Sequence, residues 1–110
     1  DLGVKNTLSR EIEKAGYTVI NTQGEDLDLN PNCLNSYPKV DAVTAFEIFE
    51  HLVSPLQVLQ NLPSNNLVAT VPLNLWFSTP YYNKNDVFDR HFHEFYDWQF
   101  EMLLDRYFPQ

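Results

Sequence analysis

The chain has 110 residues, enough for one domain with a modest core. Its apolar content of 44% excludes a disordered polymer, and its net charge of −8 opposes binding to a nucleic-acid backbone. A single cysteine, Cys33, excludes an internal disulfide and any cysteine-rich zinc site.

No stretch approaches the ~18 apolar residues of a membrane span, so no membrane partner is expected. The first residues lack the basic and apolar regions of a signal peptide, and a cytoplasmic location is the expectation. Both ends read as cut. The chain opens at Asp1-Leu2-Gly3 and stops directly after a predicted helix, which suggests part of a larger fold.

In chain order, Leu8, Ile12 and Ala15 share one helical face, with charged residues on the other. Gly16 is suited to end that helix, because glycine adopts the left-handed backbone a helix terminus often needs. Tyr17, Thr18, Val19 and Ile20 then read as a strand. Residues 21–39 are polar and without period, a predicted loop with a short strand at 27–29.

Residues 39–72 are the most informative. Val40, Ala42, Val43 and Ala45 form an apolar run expected of a strand buried on both faces of a parallel sheet. Ser54 and Pro55 predict a helix start, and Leu56, Val58, Leu59 and Leu62 follow before Pro63 ends it. Leu67, Val68, Ala69, Thr70 and Val71 predict a second buried strand, stopped at Pro72. A strand-helix-strand crossover of this length is parallel, and its ligands lie beyond the carboxyl ends of the strands. Chemistry is therefore expected around Ala45, Phe46 and Glu47, and around Val71 and Pro72.

The segment 73–96 mixes aromatics (Trp76, Phe77, Tyr81, Tyr82, Phe88, Phe92, Phe95) with Asn, Asp, Pro and His. A segment this long without period suits a lid or binding loop, and as a group its aromatics suit a pocket wall. Asp97 can cap a final helix with the apolar stripe Phe100, Leu103, Leu104 and Tyr107.

At residues 40–52 the sequence VDAVTAFEIFEHL resembles the second motif, of the type FDVVTAFEVLEHL, of the class I S-adenosylmethionine-dependent methyltransferases that act on small molecules. The following proline, the strand ending in Val71-Pro72, and His93-Glu94-Phe95 ahead of the last helix fit the same family, and Asp1-Leu2-Gly3 resembles the start of its glycine-rich first motif. The resemblance implies an α/β fold, a Rossmann-like three-layer sandwich with a mostly parallel sheet. This chain would hold one incomplete methyltransferase-like domain over residues 1–110. It also implies S-adenosylmethionine as cofactor and a small-molecule acceptor as partner. The implied cofactor-binding residues are Asp1 and Gly3 of the first motif, Asn21 and Asp26 (or Asp28) toward the ribose or adenine, Ala45, Phe46 and Glu47 at the strand tip, and His51. His91 or His93 would serve as general base in an acceptor pocket. No metal is assigned in this reading.

Other readings stand beside it. Glu50 and His51 can equally cap a helix and fill a polar surface. After Gly3 the chain has Val4, Lys5, Asn6 and Thr7 where the family places further glycines, which suits a non-catalytic binding module. His91 and His93, with Asp86 or Asp89, have the spacing of a 2-His-1-carboxylate metal site. Glu25, Asp26 and Asp28 can be a solvated acidic loop. Cys33 has no basic neighbour before Lys39, so a reactive thiolate is not expected. Unpaired strand edges would favour self-association as a homodimer.

Overall fold

A computed structural model describes residues 1–108. Helix α1 (Thr7–Lys14) is followed by a 3₁₀ helix at Pro31–Ser36 and strand β1 (Val43–Phe46). A 3₁₀ turn at Phe49–His51, helix α2 (Pro55–Gln60), strand β2 (Leu67–Thr70) and helix α3 (Asp97–Asp105) complete the order. The fold is α/β.

The predicted crossover is present. β1 and β2 pair in parallel, Val43 opposite Leu67 through Phe46 opposite Thr70. Bonds from Val43 N to Asn66 O (2.9 Å) and Glu47 N to Thr70 O (3.0 Å) extend the ladder. Pro55 opens α2, as its fixed φ and missing donor allow, and Gly16 follows α1 with φ 102°.

Two extended segments lie beside the two-stranded sheet. Asp1 N donates to Ile20 O (2.8 Å), while Thr22 N donates to Asp1 O (3.2 Å). A residue that donates to one side of its partner and accepts from the other marks a parallel pair. Leu2 N in turn donates to Thr44 O at 2.8 Å. The lateral order is therefore 20–22, 1–3, β1, β2.

The sheet is covered on one face, not two. Val43 and Ala45 are buried, with Leu2, Leu34, Phe49, Leu52, Val58, Leu59 and Phe95, whereas Thr44 and Phe46 are half-buried and Val68 is 53% exposed. The helices and turns that follow the strands pack on the same side; on the other, Thr44 meets the Asp1 carboxylate and Val68 is left open. Phe49 anchors the covered side. Its ring lies 5.9 Å from that of Phe100, which is 5.2 Å from Phe95, and burying a side chain of this size stabilises by roughly 2–3 kcal/mol.

Other expectations change. Residues 17–20 form an extended segment rather than a full strand, and 27–29 form a turn. The buried residue of α1 is Ser9, not Leu8 or Ala15, because the helix packs a hydroxyl against the Asp1 carboxylate. Ser54 stands at the N-cap of α2 without a side-chain cap bond. The stripe Phe100, Leu103, Leu104 and Tyr107 does pack on the core, but α3 is capped from Tyr96, with Asp97 inside its first turn.

Candidate functional site

The expected site residues are divided by what they bond. Asp1 Oδ2 accepts from Ser9 Oγ (2.7 Å) and Asn21 Nδ2 (3.1 Å), and Oδ1 accepts from Thr44 Oγ1 (2.8 Å). Asn21 Nδ2 also approaches Gly3 O and Ser9 Oγ, each at 3.0 Å. Asp1 and Asn21 are thus ties between α1, β1 and the two extended segments, a different task from the ligand contacts implied by resemblance.

Asp26 Oδ1 accepts from the nitrogens of Asp28 (3.0 Å) and Leu29 (3.1 Å), closing a local turn. Asp28 reaches across to the start of α2, accepting from Val53 N (3.0 Å) and Ser54 N (2.9 Å). Both acids serve the backbone. For Asp28 the sequence offered no sign of this, since its partners are remote.

The strand tip is open chemistry. Ala45 is buried, Phe46 half-buried, and Glu47 exposed with a left-handed φ of 55°, uncommon for a residue with a side chain. Glu47 Oε2 lies 3.4 Å from Thr70 Oγ1. Gly3 flanks the same end at φ 102°, a conformation that favours glycine, while a Cβ there would meet nothing nearer than Ile48 at 3.8 Å.

Beyond Glu47 the chain turns through Phe49–His51 and is met by residues 90–94. Glu50 O accepts from Phe92 N (2.8 Å) and His93 N (3.2 Å), which clamps the two segments together. His51 Nδ1 lies 3.0 Å from Arg90 O, and the His51 and His91 rings meet edge to face at 4.7 Å. The Glu50 side chain beneath them is 1% exposed, and its Oε2 has no hydrogen-bond partner among the described residues. Burial pushes its carboxyl above the usual carboxylate range. Its own backbone N–H and the nearby His51 and His91 oppose that shift, and Glu47 adds to it.

Glu50, His51 and His91 each offer a donor atom, all within 4.8 Å of one another. Glu94 Oε1 approaches His91 Nδ1 at 3.4 Å without hydrogen-bond geometry. Tyr81 packs on His91 with ring centroids 5.0 Å apart, and its hydroxyl donates to Asp89 Oδ2 at 2.7 Å. That bond, then one from Asn83 and the two histidines, holds the Asp89 carboxyl below its usual range.

Comparison with protein-family models, curated proteins and solved structures gave no match. The site therefore rests on its own geometry.

The alternative grouping of His91 with His93 as joint metal ligands is not formed. His93 Nε2 faces Val53 O at 3.3 Å and its ring stacks on Phe95, while Asp86 caps the nitrogen of Phe88. The segment 90–94 runs over the Phe49–His51 turn, so the two rings take different neighbours. Glu50, which the resemblance placed with His51 in a cofactor cleft and the bare sequence allowed as a helix cap, instead lies buried against the two histidines. The aromatic segment does not wall a pocket as a group. Trp76 is 95% exposed and Phe88 79%, and Phe95 alone of the seven is buried. Cys33 is half-buried, and burial, with Glu25 nearby, pushes its thiol up, which opposes a reactive thiolate. No helix among the described residues is long and apolar enough to cross a membrane.

Proposed function

We propose that the protein is an S-adenosylmethionine-dependent methyltransferase fold acting on a small-molecule acceptor, a partial Rossmann-like unit whose cofactor crevice lies between residues 1–3 and the tip of β1. The observation that carries this reading is the lateral order 20–22, 1–3, β1, β2. From 1–3 the chain steps first to one side and then to the other, which leaves a crevice at the point of reversal. Ligands of parallel sheets lie in such crevices, past the carboxyl ends.

Gly3 and the residues Ala45, Phe46 and Glu47 fit that position. The exposed Glu47 carboxylate is suited to a cationic ligand or its amino group. When bound, the cofactor would supply an electrophilic methyl group on a sulfonium. The chain's part is to orient that group and exclude water, since displacement at carbon gains most from alignment. Asp1 and Asn21 act indirectly, by holding the crevice walls.

Titration calorimetry with S-adenosylhomocysteine tests the reading. Saturable binding that weakens in Glu47→Ala is expected, and no heat at ~1 mM ligand with a folded protein overturns it.

The second reading, a non-catalytic binding module of the same fold, is favoured by the internal bonds of Asp1 and Asn21. It predicts a folded protein with no affinity for the homocysteine product.

A further inference from the structure

We propose that Glu50, His51 and His91 form a binding site for one divalent transition-metal cation of the manganese, iron(II) or zinc class. The site is independent of the methyltransferase reading and differs from the His91–His93 grouping suggested by sequence spacing.

Three observations converge. The donor atoms of one carboxylate and two imidazoles lie within 4.8 Å of one another. Donors around a cation at ~2.1 Å lie ~3.0–3.4 Å apart, so the three side chains would draw together on binding. The second observation is the bare carboxylate oxygen. Glu50 is 1% exposed, its Oε2 has no hydrogen-bond partner among the described residues, and a buried carboxylate is held ionised only where a cation meets it.

The third is how His51 is held. Its Nδ1 faces the Arg90 carbonyl at 3.0 Å, an arrangement that puts the N–H there and leaves the Nε2 lone pair for a cation. That Nε2 lies 3.8 Å from Glu50 Oε1, too far for a hydrogen bond and within ion-pair reach only when the imidazole is protonated. His91 Nδ1 has the Glu94 carboxylate 3.4 Å away, and neither atom has a hydrogen-bond partner among the described residues.

The backbone prepares the arrangement. Glu50 O accepts from Phe92 and His93 nitrogens, which ties the segment carrying His91 to the turn carrying Glu50 and His51. Two imidazoles favour transition metals over magnesium or calcium, which prefer oxygen donors. Three protein ligands leave open positions for water or an oxygen donor of an acceptor.

The test uses protein stripped with chelator, then titrated with manganese(II) by electron paramagnetic resonance and with zinc(II) by calorimetry. One cation per chain is expected. Glu50→Gln and His91→Gln should each weaken binding by at least ~100-fold, because removing a direct ligand costs no less than removing its supporting partner. His93→Ala should leave affinity unchanged. Circular dichroism verifies that each variant folds, and His51→Gln replaces any that does not. In thermal melts the metal should raise the midpoint of the parent protein and not that of Glu50→Gln. Absence of binding at ~1 mM metal, or equal affinity in all ligand variants, overturns the site and leaves adventitious binding only. Metal binding without affinity for S-adenosylhomocysteine would uphold this site while removing the methyltransferase reading.

Discussion

Asp28 and Ser54 are joined by a bond from the Ser54 backbone nitrogen to Asp28 Oδ1 at 2.9 Å, with Val53 N on the other oxygen at 3.0 Å. One carboxylate from a distant loop thereby satisfies donors at the start of α2, a place where negative charge also meets the positive end of the helix.

Asp28→Ala should therefore destabilise the protein by ~1–2 kcal/mol, and Ser54→Ala by much less, because the Ser54 hydroxyl makes no cap bond. Urea unfolding of both variants checks the ranking. Equal losses would place the cap in the serine after all.

Asn21 has a comparable role at the other edge. Its amide nitrogen serves Asp1 Oδ2, Gly3 O and Ser9 Oγ, so Asn21→Ala leaves part-buried acceptors unmatched. A stability loss of ~1–3 kcal/mol is expected in denaturant melts. A variant of full stability whose only defect is cofactor affinity would contradict the structural assignment.

Glu47 sits at φ 55° between β1 and the Phe49–His51 turn. Glycine accepts this backbone freely and a β-branched residue does not. Glu47→Gly should match or exceed the parent in thermal stability, while Glu47→Val should lose ~1–3 kcal/mol. A reversed order would show that the side chain outweighs the backbone.

The Tyr37 hydroxyl donates to Glu25, which holds the Glu25 carboxyl below its usual range and the Tyr37 phenol above its own. A lowered carboxylate contributes stability above its unfolded value and loses it as pH falls through the folded value. A raised phenol contributes stability below its unfolded value and loses it as pH rises through the folded one. Stability from the pair is thus present at neutral pH and lost at both extremes. The melting-temperature difference between parent and Tyr37→Phe should be largest near neutral pH and shrink toward both extremes, and the carboxyl resonance of Glu25 should titrate higher in the variant.

Much of the crossover was legible in the residues themselves. Pro55 and Gly16 act on their own backbone, and the alternation from Val43 to Ala45 reports a buried face, so these features follow from local chemistry. α3 was legible for the same reason, through the spacing of Phe100, Leu103, Leu104 and Tyr107. The covering of one sheet face was not, because an apolar strand does not say how many layers the remaining chain can supply.

Local sequence also could not tell which acids are spoken for. Asp1 and Asp28 look alike as carboxylates; only the fold brings Thr44 and Ser9 to the first and the nitrogens of Val53 and Ser54 to the second. The meeting of His91 with Glu50 and His51 is likewise a tertiary event. Composition and spacing determined a small acidic α/β chain with a parallel crossover, since those depend on forces acting between near neighbours. Which polar side chains became ties and which were left to meet a ligand was decided by packing, where a donor or acceptor finds its partner only after distant segments close on one another.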